Sequence, residues 1–209
     1  GELLFEGEYL NGERWNGKGK EYNIFHRLEF EGEYLNGDRH GKVKVYNNDE
    51  LFFEGDYFKG VKYGKGKEYV DGKLFFEGDY LNGKRNGKGK EYFHNGKTQF
   101  EGEYSNGERN GYGKEFDKYG KLKFEGEYLN GKSWKVKGKE YYLSGGLLFD
   151  GEYLNGKRNG KGKEYYNNKK LKFDGEYLNG ERSGKGKEYF INGELLFEGE
   201  YLNGERWNG

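Results

Sequence analysis

The sequence contains no cysteine, no proline and no methionine. Without cysteine the chain can form neither a disulfide nor a thiolate metal site, although this absence does not fix the cellular compartment. Without proline, no residue interrupts the hydrogen-bond ladder of a β-sheet. Only 32% of the 209 residues are hydrophobic, and no apolar run approaches the length of a membrane span. A thick hydrophobic core and a transmembrane helix are therefore not expected.

The sequence also lacks an excess of either charge. The 37 Lys and Arg residues balance 37 Asp and Glu residues, and the signs alternate finely along the chain. Because a basic face is the electrostatic footprint of nucleic-acid binding, we predict no nucleic-acid partner. Low hydrophobicity with 35% charged residues is typical of disorder, but 19% of the residues are aromatic and forty are glycine. An ordered structure built from aromatic residues and glycine is expected.

A repeat of 23 to 25 residues dominates the chain, and self-similarity at such a period is the signature of a repeat architecture. The first seventeen residues recur as the last seventeen, as expected of equivalent units. We predict a single domain over residues 1–209 with nine units, of which the last is truncated, starting near residues 3, 28, 51, 74, 98, 122, 147, 171 and 195. The string Phe-[Glu/Asp]-Gly-[Glu/Asp]-Tyr starts at Phe5, Phe30, Phe53, Phe76, Phe100, Phe124, Phe149, Phe173 and Phe197.

The fourth unit, Lys73 to Lys97, predicts two strands and two turns. Apolar residues and glycine alternate with acidic residues from Leu74 to Tyr80, and this period of two predicts a strand with an aromatic face and a charged face. The Asn82-Gly83 pair favours a type I′ turn, and a second Asn-Gly pair precedes the next unit. The fold class is therefore all-β: an elongated single-layer antiparallel β-hairpin array, a β-meander solenoid shaped as a twisted rod.

The register of the hairpin follows if the Asn82-Gly83 turn has two residues. A bulge near residues 89–91 would then turn Tyr92 inward. The leucine two positions before each Phe, such as Leu74, is expected to extend the inward row. The three tryptophans each accompany a one-residue insertion after the turn and are expected in loops; they are Trp15, Trp134 and Trp207. The predicted pairs are Phe76–Gly89, Glu77–Lys88 and Gly78–Gly87.

These residues resemble the MORN (membrane occupation and recognition nexus) repeat family. Its units carry a Tyr/Phe-x-Gly-x-aromatic strand, a turn glycine and a Gly-x-Gly return, which here are Phe100–Tyr104, Gly107 and Gly111–Gly113. The spacing is closest to the second, largely bacterial variety. The resemblance implies elongated stacks of hairpins that act as scaffolds for partner helices or peptides along an aromatic groove. It also implies a cytoplasmic or membrane-peripheral location.

Residues suited to catalysis are scarce and scattered. His26, His40 and His94 occupy non-equivalent positions in their units, and the four serines have no fixed relation to them. Paired carboxylates such as Glu77 and Asp79 recur in every unit, which indicates a structural role. We therefore predict no enzymatic activity, no catalytic residue, no cofactor and no metal site.

The aromatic face is the first candidate surface, and two interpretations of it stay open. The rings either pack on one another and on glycine as a thin internal core, or they line an exposed groove for an amphipathic helix or an extended peptide. On the second interpretation the chain is a scaffold that binds a protein or peptide partner. The residues predicted to bind it are Phe30, Tyr34, Phe53, Tyr57, Phe76, Tyr80, Phe100, Tyr104, Phe124, Tyr128, Phe149 and Tyr153.

The repeated basic residues are the second candidate surface. As an alternative function, they would form a ladder that binds anionic phospholipid headgroups of a membrane surface, although neighbouring glutamates partly cancel its field. A further alternative is a self-assembling structural array with end-to-end association through unpaired edge strands, or a carbohydrate or cell-wall binder. The lipid-binding candidates are Lys84, Arg85, Lys88, Lys90, Lys157, Arg158, Lys161 and Lys163.

Overall fold

The computed structural model of the protein describes residues 3–208, and within them every side chain except those of residues 133–136. The described residues form eighteen β-strands and no helix. The strands are β1 (Phe5–Leu10), β2 (Glu13–Tyr22), β3 (Leu28–Leu35), β4 (Asp38–Asn47), β5 (Glu50–Phe58), β6 (Val61–Val70), β7 (Lys73–Leu81), β8 (Lys84–Tyr92), β9 (Thr98–Ser105), β10 (Glu108–Phe116), β11 (Leu122–Leu129), β12 (Lys132–Tyr141), β13 (Leu147–Leu154), β14 (Lys157–Tyr165), β15 (Leu171–Leu178), β16 (Glu181–Tyr189), β17 (Leu195–Leu202) and β18 (Glu205–Asn208).

The chain divides into two compact units. The first comprises Gly1–Thr98 and Tyr104–Gly107, and the second comprises Gln99–Glu103 and Glu108–Gly209. In the first unit β1 to β8 pair antiparallel, each with its neighbour in sequence. In the second, β10 to β18 do the same. The predicted all-β hairpin repeat is thus confirmed, while a single domain over the whole chain stays a prediction.

The turn that closes each hairpin is a two-residue reversal with positive φ at both positions. Asn82 and Gly83 have φ values of 50° and 81°, as a type I′ turn requires. Asparagine occupies the first position in eight of the nine hairpins, with φ between 49° and 52°. The exception is Lys59, which has φ of 49° although lysine is disfavoured in the left-handed region. The predicted Asn82-Gly83 turn is confirmed, whereas in the second predicted pair, Asn95-Gly96, only the glycine has positive φ.

Replacing Lys59 with asparagine is expected to stabilise the protein by about 0.5–1 kcal/mol, because asparagine tolerates the left-handed conformation better. Equilibrium urea unfolding followed by circular dichroism measures the change. The control is Lys44→Asn at an exposed strand position of β4, where asparagine is a poorer strand former. A Lys59→Asn protein no more stable than the parent would contradict the strain assigned to this turn.

Past the turn, the hairpin register differs from the predicted one. Tyr80 faces Arg85 as predicted, but the register then shifts by two residues. The shift is a bulge in β8 at Gly87, which has φ of 95°, and the Asp79 carboxylate accepts a hydrogen bond from the Lys88 backbone N–H there (3.1 Å). In the first hairpin, by contrast, the phenylalanine faces the second glycine of the returning strand, as the predicted register has it. The observed pairs of the fourth hairpin are Gly78–Gly89, Glu77–Lys90 and Phe76–Glu91.

We call the side of the sheet that carries Phe76 and Tyr80 the aromatic face, and the side that carries Glu77 and Lys90 the charged face. Opposite charges do meet on the charged face, as predicted, since Glu77 and Lys90 are directly opposed. Because Glu91 faces Phe76, however, the returning strand also places a carboxylate on the aromatic face, as do most of the others; in β4 the residue at this position is Val45. This carboxylate was not predicted from the sequence.

A second bulge lies where one hairpin meets the next. The register shifts after Glu68, and Tyr69 of β6 faces Leu74 of β7, which leaves Phe75 without a partner. The Tyr69 hydroxyl donates to Glu54 Oε1 (2.7 Å) on the charged face. Directly opposed residues of antiparallel strands share a face, so Leu74 also lies on the charged face. The predicted inward row of leucines is therefore wrong.

The closing tyrosine of each unit also lies on the charged face. The Tyr92 hydroxyl donates to Glu77 Oε1 at 2.6 Å, and Tyr141 makes the equivalent bond to Glu125 at 2.8 Å. The prediction that a bulge turns Tyr92 inward is therefore wrong, because a carboxylate on the charged face satisfies its hydroxyl.

The tryptophans that the structure describes lie in strands, which corrects their assignment to loops. Trp15 is a half-buried residue of β2, and Trp207 is an exposed residue of β18. Tyr9 faces Arg14 whereas Glu8 faces Asn16, so the extra residue is absorbed by a bulge. The Trp134 side chain lies outside the described residues.

Candidate binding surfaces

The phenylalanine of each repeat forms the centre of the core. Phe76 contacts Tyr80 of its own hairpin with ring centroids 5.8 Å apart, and Tyr104 of the next hairpin at 5.2 Å. Both contacts are edge-to-face, an arrangement worth about 0.5–1.5 kcal/mol beyond area burial. The rings therefore pack as a thin internal core, one of the two interpretations left open above. The fully buried phenylalanines are Phe30, Phe53, Phe76, Phe100, Phe149 and Phe173.

Pairs of opposed glycines form the floor beneath these rings. An ideal Cβ at Gly78 would lie 2.7 Å from Cζ of Phe76, and one at Gly89 would lie 2.6 Å from the same atom. Real Cβ atoms do not approach other heavy atoms this closely. The Phe76 ring thus lies over two backbones because Gly78 and Gly89 have no side chain, as predicted for rings over glycine, whereas Val43 replaces one of the two glycines beneath Phe30.

A ladder of arginine–glutamate pairs covers the rings, and we call it the Arg–Glu ladder. In the second compact unit, Arg182 is bonded to Glu164 of the preceding hairpin at 2.7 Å and to Glu188 of its own at 2.8 Å. Arg158 bridges Glu140 and Glu164 in the same way, at 2.6 and 2.7 Å. The ladder is therefore continuous from Glu140 to Arg206, whose bond to Glu188 is 2.7 Å.

The ladder lies directly on the phenylalanine rings. The guanidinium carbon of Arg182 is 4.2 Å from the centroid of Phe173, and that of Arg85 is 4.0 Å from the centroid of Phe76. Such cation–π contacts are worth about 0.5–2 kcal/mol, more where water is excluded. The side chains of Arg182 and Glu188 are each 15% exposed, so this part of the ladder is largely shielded from solvent, whereas Arg206 at its end is 45% exposed.

The arginines keep the ladder carboxylates ionised. Burial on its own raises the pKa of Glu164, but hydrogen bonding to Arg182 and the charges of Arg182 and Arg158 outweigh it and lower that pKa below its ordinary value. The pKa of Glu68 is lowered in the same way, with Arg85 and Lys62 opposing the effect of burial. The ladder therefore stays charged at neutral pH.

Tyrosine hydroxyls tie the ring row to the ladder. Tyr153 donates to Glu140 Oε1 at 2.7 Å, and Tyr104 donates to Glu91 Oε1 at 2.9 Å. Burial and the neighbouring Glu21 carboxylate raise the pKa of Tyr34 to about 12. On the charged face, burial and Glu54 raise the pKa of Tyr69 to about 12.

We expect the protein to unfold at alkaline pH between about 10 and 12. The folded state favours the neutral phenol, so its contribution to stability is complete below the unfolded pKa near 10 and is lost as the pH rises through the raised values. Parallel titrations of phenolate absorbance near 295 nm and far-ultraviolet circular dichroism measure this transition. The bulk of the phenolate signal should appear together with loss of the β signal. Ionisation of most tyrosines near pH 10 with an unchanged β signal would contradict the expectation.

The residues predicted to bind a partner lie on the aromatic face, most of them beneath the ladder. Ten of the twelve are buried or fully buried, apart from Tyr57 and Phe124, which are half-buried. Their direct contact with a partner stays a prediction. Tyr9 of the first hairpin is exposed on this face, and so are the two bulge residues Phe52 and Phe75, at 45% and 36% exposure. The bulge residues flank Lys62 and Arg85, each at 5.5 Å from ring centroid to cationic group.

The residues of the predicted basic ladder lie on different faces. Arg85 and Arg158 belong to the Arg–Glu ladder on the aromatic face. The six lysines are exposed, and Lys163 is paired with Asp174 at 3.2 Å. The eight residues thus do not form one continuous basic surface, and lipid binding by them stays a prediction.

The Arg–Glu ladder was not predicted from the sequence. A signal for it is present, because arginine follows the turn glycine by two positions in seven of the nine hairpins. Solvated lysine and arginine would interchange freely at such a position, so this preference indicates planar, bidentate pairing.

The described part of the chain holds no cluster of three or more His, Asp or Glu side chains arranged for a metal ion. Within residues 3–208 there is also no helix with the length and apolar character needed to cross a bilayer.

Comparison with known proteins agrees with the repeat geometry. Five stretches of the chain match the family model described as MORN repeat, at residues 30–42, 76–98, 100–118, 149–170 and 173–194. A search of curated proteins finds no match. The five stretches confirm the resemblance stated from the sequence, while the bacterial variety stays a prediction.

Proposed function

We propose that this chain, which the five matching stretches identify as a MORN-repeat protein, is a non-enzymatic scaffold that binds a protein or peptide partner along its aromatic face. Repeats of this type form scaffolds that commonly mediate protein or membrane interaction, and they are not catalytic. The observation that carries the proposal is the pair of exposed rings, Phe52 and Phe75, held on a rigid, fully packed floor.

The floor makes these rings suitable anchors. Phe53 and Phe76, the next residues in sequence, are fully buried, so the backbone at each bulge is fixed. A ring already ordered in the free protein loses little entropy on binding, and aromatic residues and arginine are enriched at the cores of protein interfaces. Arg85 flanks Phe75, as Lys62 flanks Phe52.

The buried ring row has a supporting role in this proposal. Phe76 and Tyr80 hold the sheet in shape, while the bulge residues make the contacts with an extended peptide or a helix that lies across the hairpins. The protein would therefore bind its partner beside the predicted aromatic row, on the same face.

The test is selection of peptides from a random display library on the intact protein, followed by fluorescence anisotropy with variants. The double variant Phe52→Ser, Phe75→Ser should bind the selected peptides at least about tenfold more weakly. The matched control is Tyr112→Ser, because Tyr112 is 48% exposed and faces Glu127 on the charged face. Equal binding by the double variant, or weaker binding by the control alone, would overturn the proposal.

The membrane alternative has less support from the structure, because two of its eight residues are enclosed in the Arg–Glu ladder. Flotation with vesicles containing anionic phospholipid at about 0.15 M salt tests it. Retention by the vesicles that is lost in a Lys157→Glu, Lys161→Glu variant would favour this function instead.

A further inference from the structure

The tip of the hairpin formed by β5 and β6 departs from the repeat of its own chain. The fourth hairpin has Leu-Asn-Gly-Lys-Arg-Asn at residues 81–86, which is close to the form of the other tips, whereas residues 58–63 read Phe-Lys-Gly-Val-Lys-Tyr. Only the glycine is kept. The turn also carries Lys59 at φ 49°, so the substitutions do not serve the stability of the turn. Local sequence that conflicts with the fold is expected at functional sites.

The departures build an exposed aromatic cluster on the charged face. The ring of Phe58 lies 5.6 Å from that of Tyr63 in the same hairpin and 5.5 Å from that of His40 in the preceding hairpin. Phe58 is 44% exposed and Tyr63 is 46% exposed, and Val61 beside them is also exposed. We call Phe58, Val61, Tyr63 and His40 the tip cluster. At the equivalent position of the fourth hairpin, Tyr63 is replaced by asparagine.

Neighbouring tips extend the cluster into a row. The backbone N–H of Gly60 donates to the Arg39 carbonyl at 3.0 Å, and that of Gly83 donates to the Lys62 carbonyl at 2.9 Å. Each turn is therefore fixed to the hairpin before it. The leucines at the corresponding positions on either side, Leu35 and Leu81, are both exposed, so apolar surface continues in both directions.

The tips on either side of the tip cluster carry opposite charges. Asp38 lies at the preceding tip and Lys84 at the following tip, and neither forms an ion pair with a described residue. The central turn carries Lys59, whose Nζ lies 5.6 Å from the Phe58 ring centroid. Other nearby charges are already paired, as in Lys42–Asp56 at 2.7 Å and Lys65–Asp79 at 2.5 Å. The row therefore has an unpaired anion at one end and an unpaired cation at the other.

We propose that the tip cluster docks on the same cluster of a second copy of this chain. A two-fold axis through Phe58 runs the two rows antiparallel, so that Asp38 of each copy meets Lys84 of the other, and such an isologous contact requires a self-complementary patch. Sheet twist rotates more distant tips away, so three tips from each copy meet. The area is small, and a weak, concentration-dependent dimer is expected. This inference does not depend on the proposed partner of the aromatic face.

Sedimentation velocity over protein concentrations from about 1 µM to about 1 mM tests the dimer. The parent protein should pass from monomer to dimer and stop there. A variant that restores the repeat form of the tip, Phe58→Leu, Lys59→Asn, Val61→Lys and Tyr63→Asn, should stay monomeric while folding at least as stably. A parent protein that is monomeric throughout, or a variant that dimerises equally well, would overturn the proposal. Growth beyond the dimer would also overturn it and would indicate end-to-end association.

Charge exchange tests the antiparallel arrangement. Asp38→Lys and Lys84→Asp should each weaken the dimer by at least about tenfold through like-charge contacts, whereas an equimolar mixture of the two variants should dimerise like the parent. The matched control is Lys157→Asp at a tip of the second compact unit, which should change nothing. A mixture no stronger than its components, with both single variants weakened, would exclude the pairing of Asp38 with Lys84.

Discussion

Gly175→Ala is expected to destabilise the protein by about 2–3 kcal/mol or more, although it adds one methyl group. An ideal Cβ at Gly175 would lie 2.6 Å from Cζ of Phe173, 2.7 Å from the Cα of Gly186 and 2.8 Å from the Lys185 carbonyl oxygen. Two of these atoms belong to the backbone of the paired strand, so no rotamer change can relieve the contact. The strands must separate or the ring must leave the core, and a fall in the midpoint of thermal unfolding measures either event.

Gly146→Ala is the matched control for this substitution. Its nearest neighbour would be the Asn167 side-chain oxygen at 3.3 Å, and neither glycine needs a left-handed conformation. At Gly146 the usual advantage of alanine over glycine, about 0.5 kcal/mol outside turns, should roughly offset the small strain. Similar losses at both sites would indicate that the backbone, and not the ring above Gly175, causes the effect.

Arg182→Leu is expected to cost about 2–3 kcal/mol, because it removes two largely buried ion pairs and leaves their carboxylates behind. Glu164 and Glu188 lose the bonds at 2.7 and 2.8 Å, and their lowered pKa values should rise as the arginine charge disappears. The loss should therefore shrink at acidic pH, where the two glutamates become neutral in the variant. Urea unfolding at pH 7 and near pH 4 measures both effects.

Arg182→Lys should recover most of the lost stability, since the chain already contains this arrangement. Lys62 occupies the equivalent position over Phe53, with Nζ 4.2 Å from the ring centroid and 3.1 Å from Glu68 Oε1. A lysine bridges one carboxylate well but lacks the planar fork that serves two. A lysine variant as unstable as the leucine variant would show that shape matters more than charge at this position.

The fold could be predicted from the sequence because its signals are local. The alternation from Phe76 to Tyr80 sets the strand and its two faces, and Asn82-Gly83 sets the reversal. These signals act within a few residues, so the strands and turns that they predict do not depend on which distant strands pair. The same reasoning explains why the Asn-Gly pair predicts the turn in eight of the nine hairpins.

The register could not be predicted because glycine-rich strands offer two solutions. A slip of one residue would exchange the faces, but a slip of two keeps every side chain on its side. The predicted Phe76–Gly89 pairing and the observed Phe76–Glu91 pairing therefore satisfy the hydrophobic pattern equally well. The bulge at Gly87 decides between them, and its positive φ is available to any glycine of the strand.

The Arg–Glu ladder depended on that register. A shift of two residues leaves Glu91 on the aromatic face but moves it opposite Phe76, where its carboxylate lies 3.5 Å from Arg85. The composition alone suggests that all charged residues are solvated. In this fold, however, one carboxylate and one guanidinium of a hairpin lie over its phenylalanine. Exposed bulge residues such as Phe75 likewise follow from the register, which is why the accessible rings differ from the predicted ones.

The shared glutamates of the ladder make neighbouring hairpins interchangeable where both carry the arginine and the glutamate. Glu164 joins Arg158 of its own module to Arg182 of the following one, and the Gly180 backbone N–H bonds to the carbonyl of Arg158 across the same junction. Excising residues 173–196 would give the role of Glu188 to Glu164, which already pairs with Arg158 of its own module and would then pair with Arg206. Recombination between copies can therefore lengthen or shorten the gene by whole modules, and each product encodes a chain that can still fold.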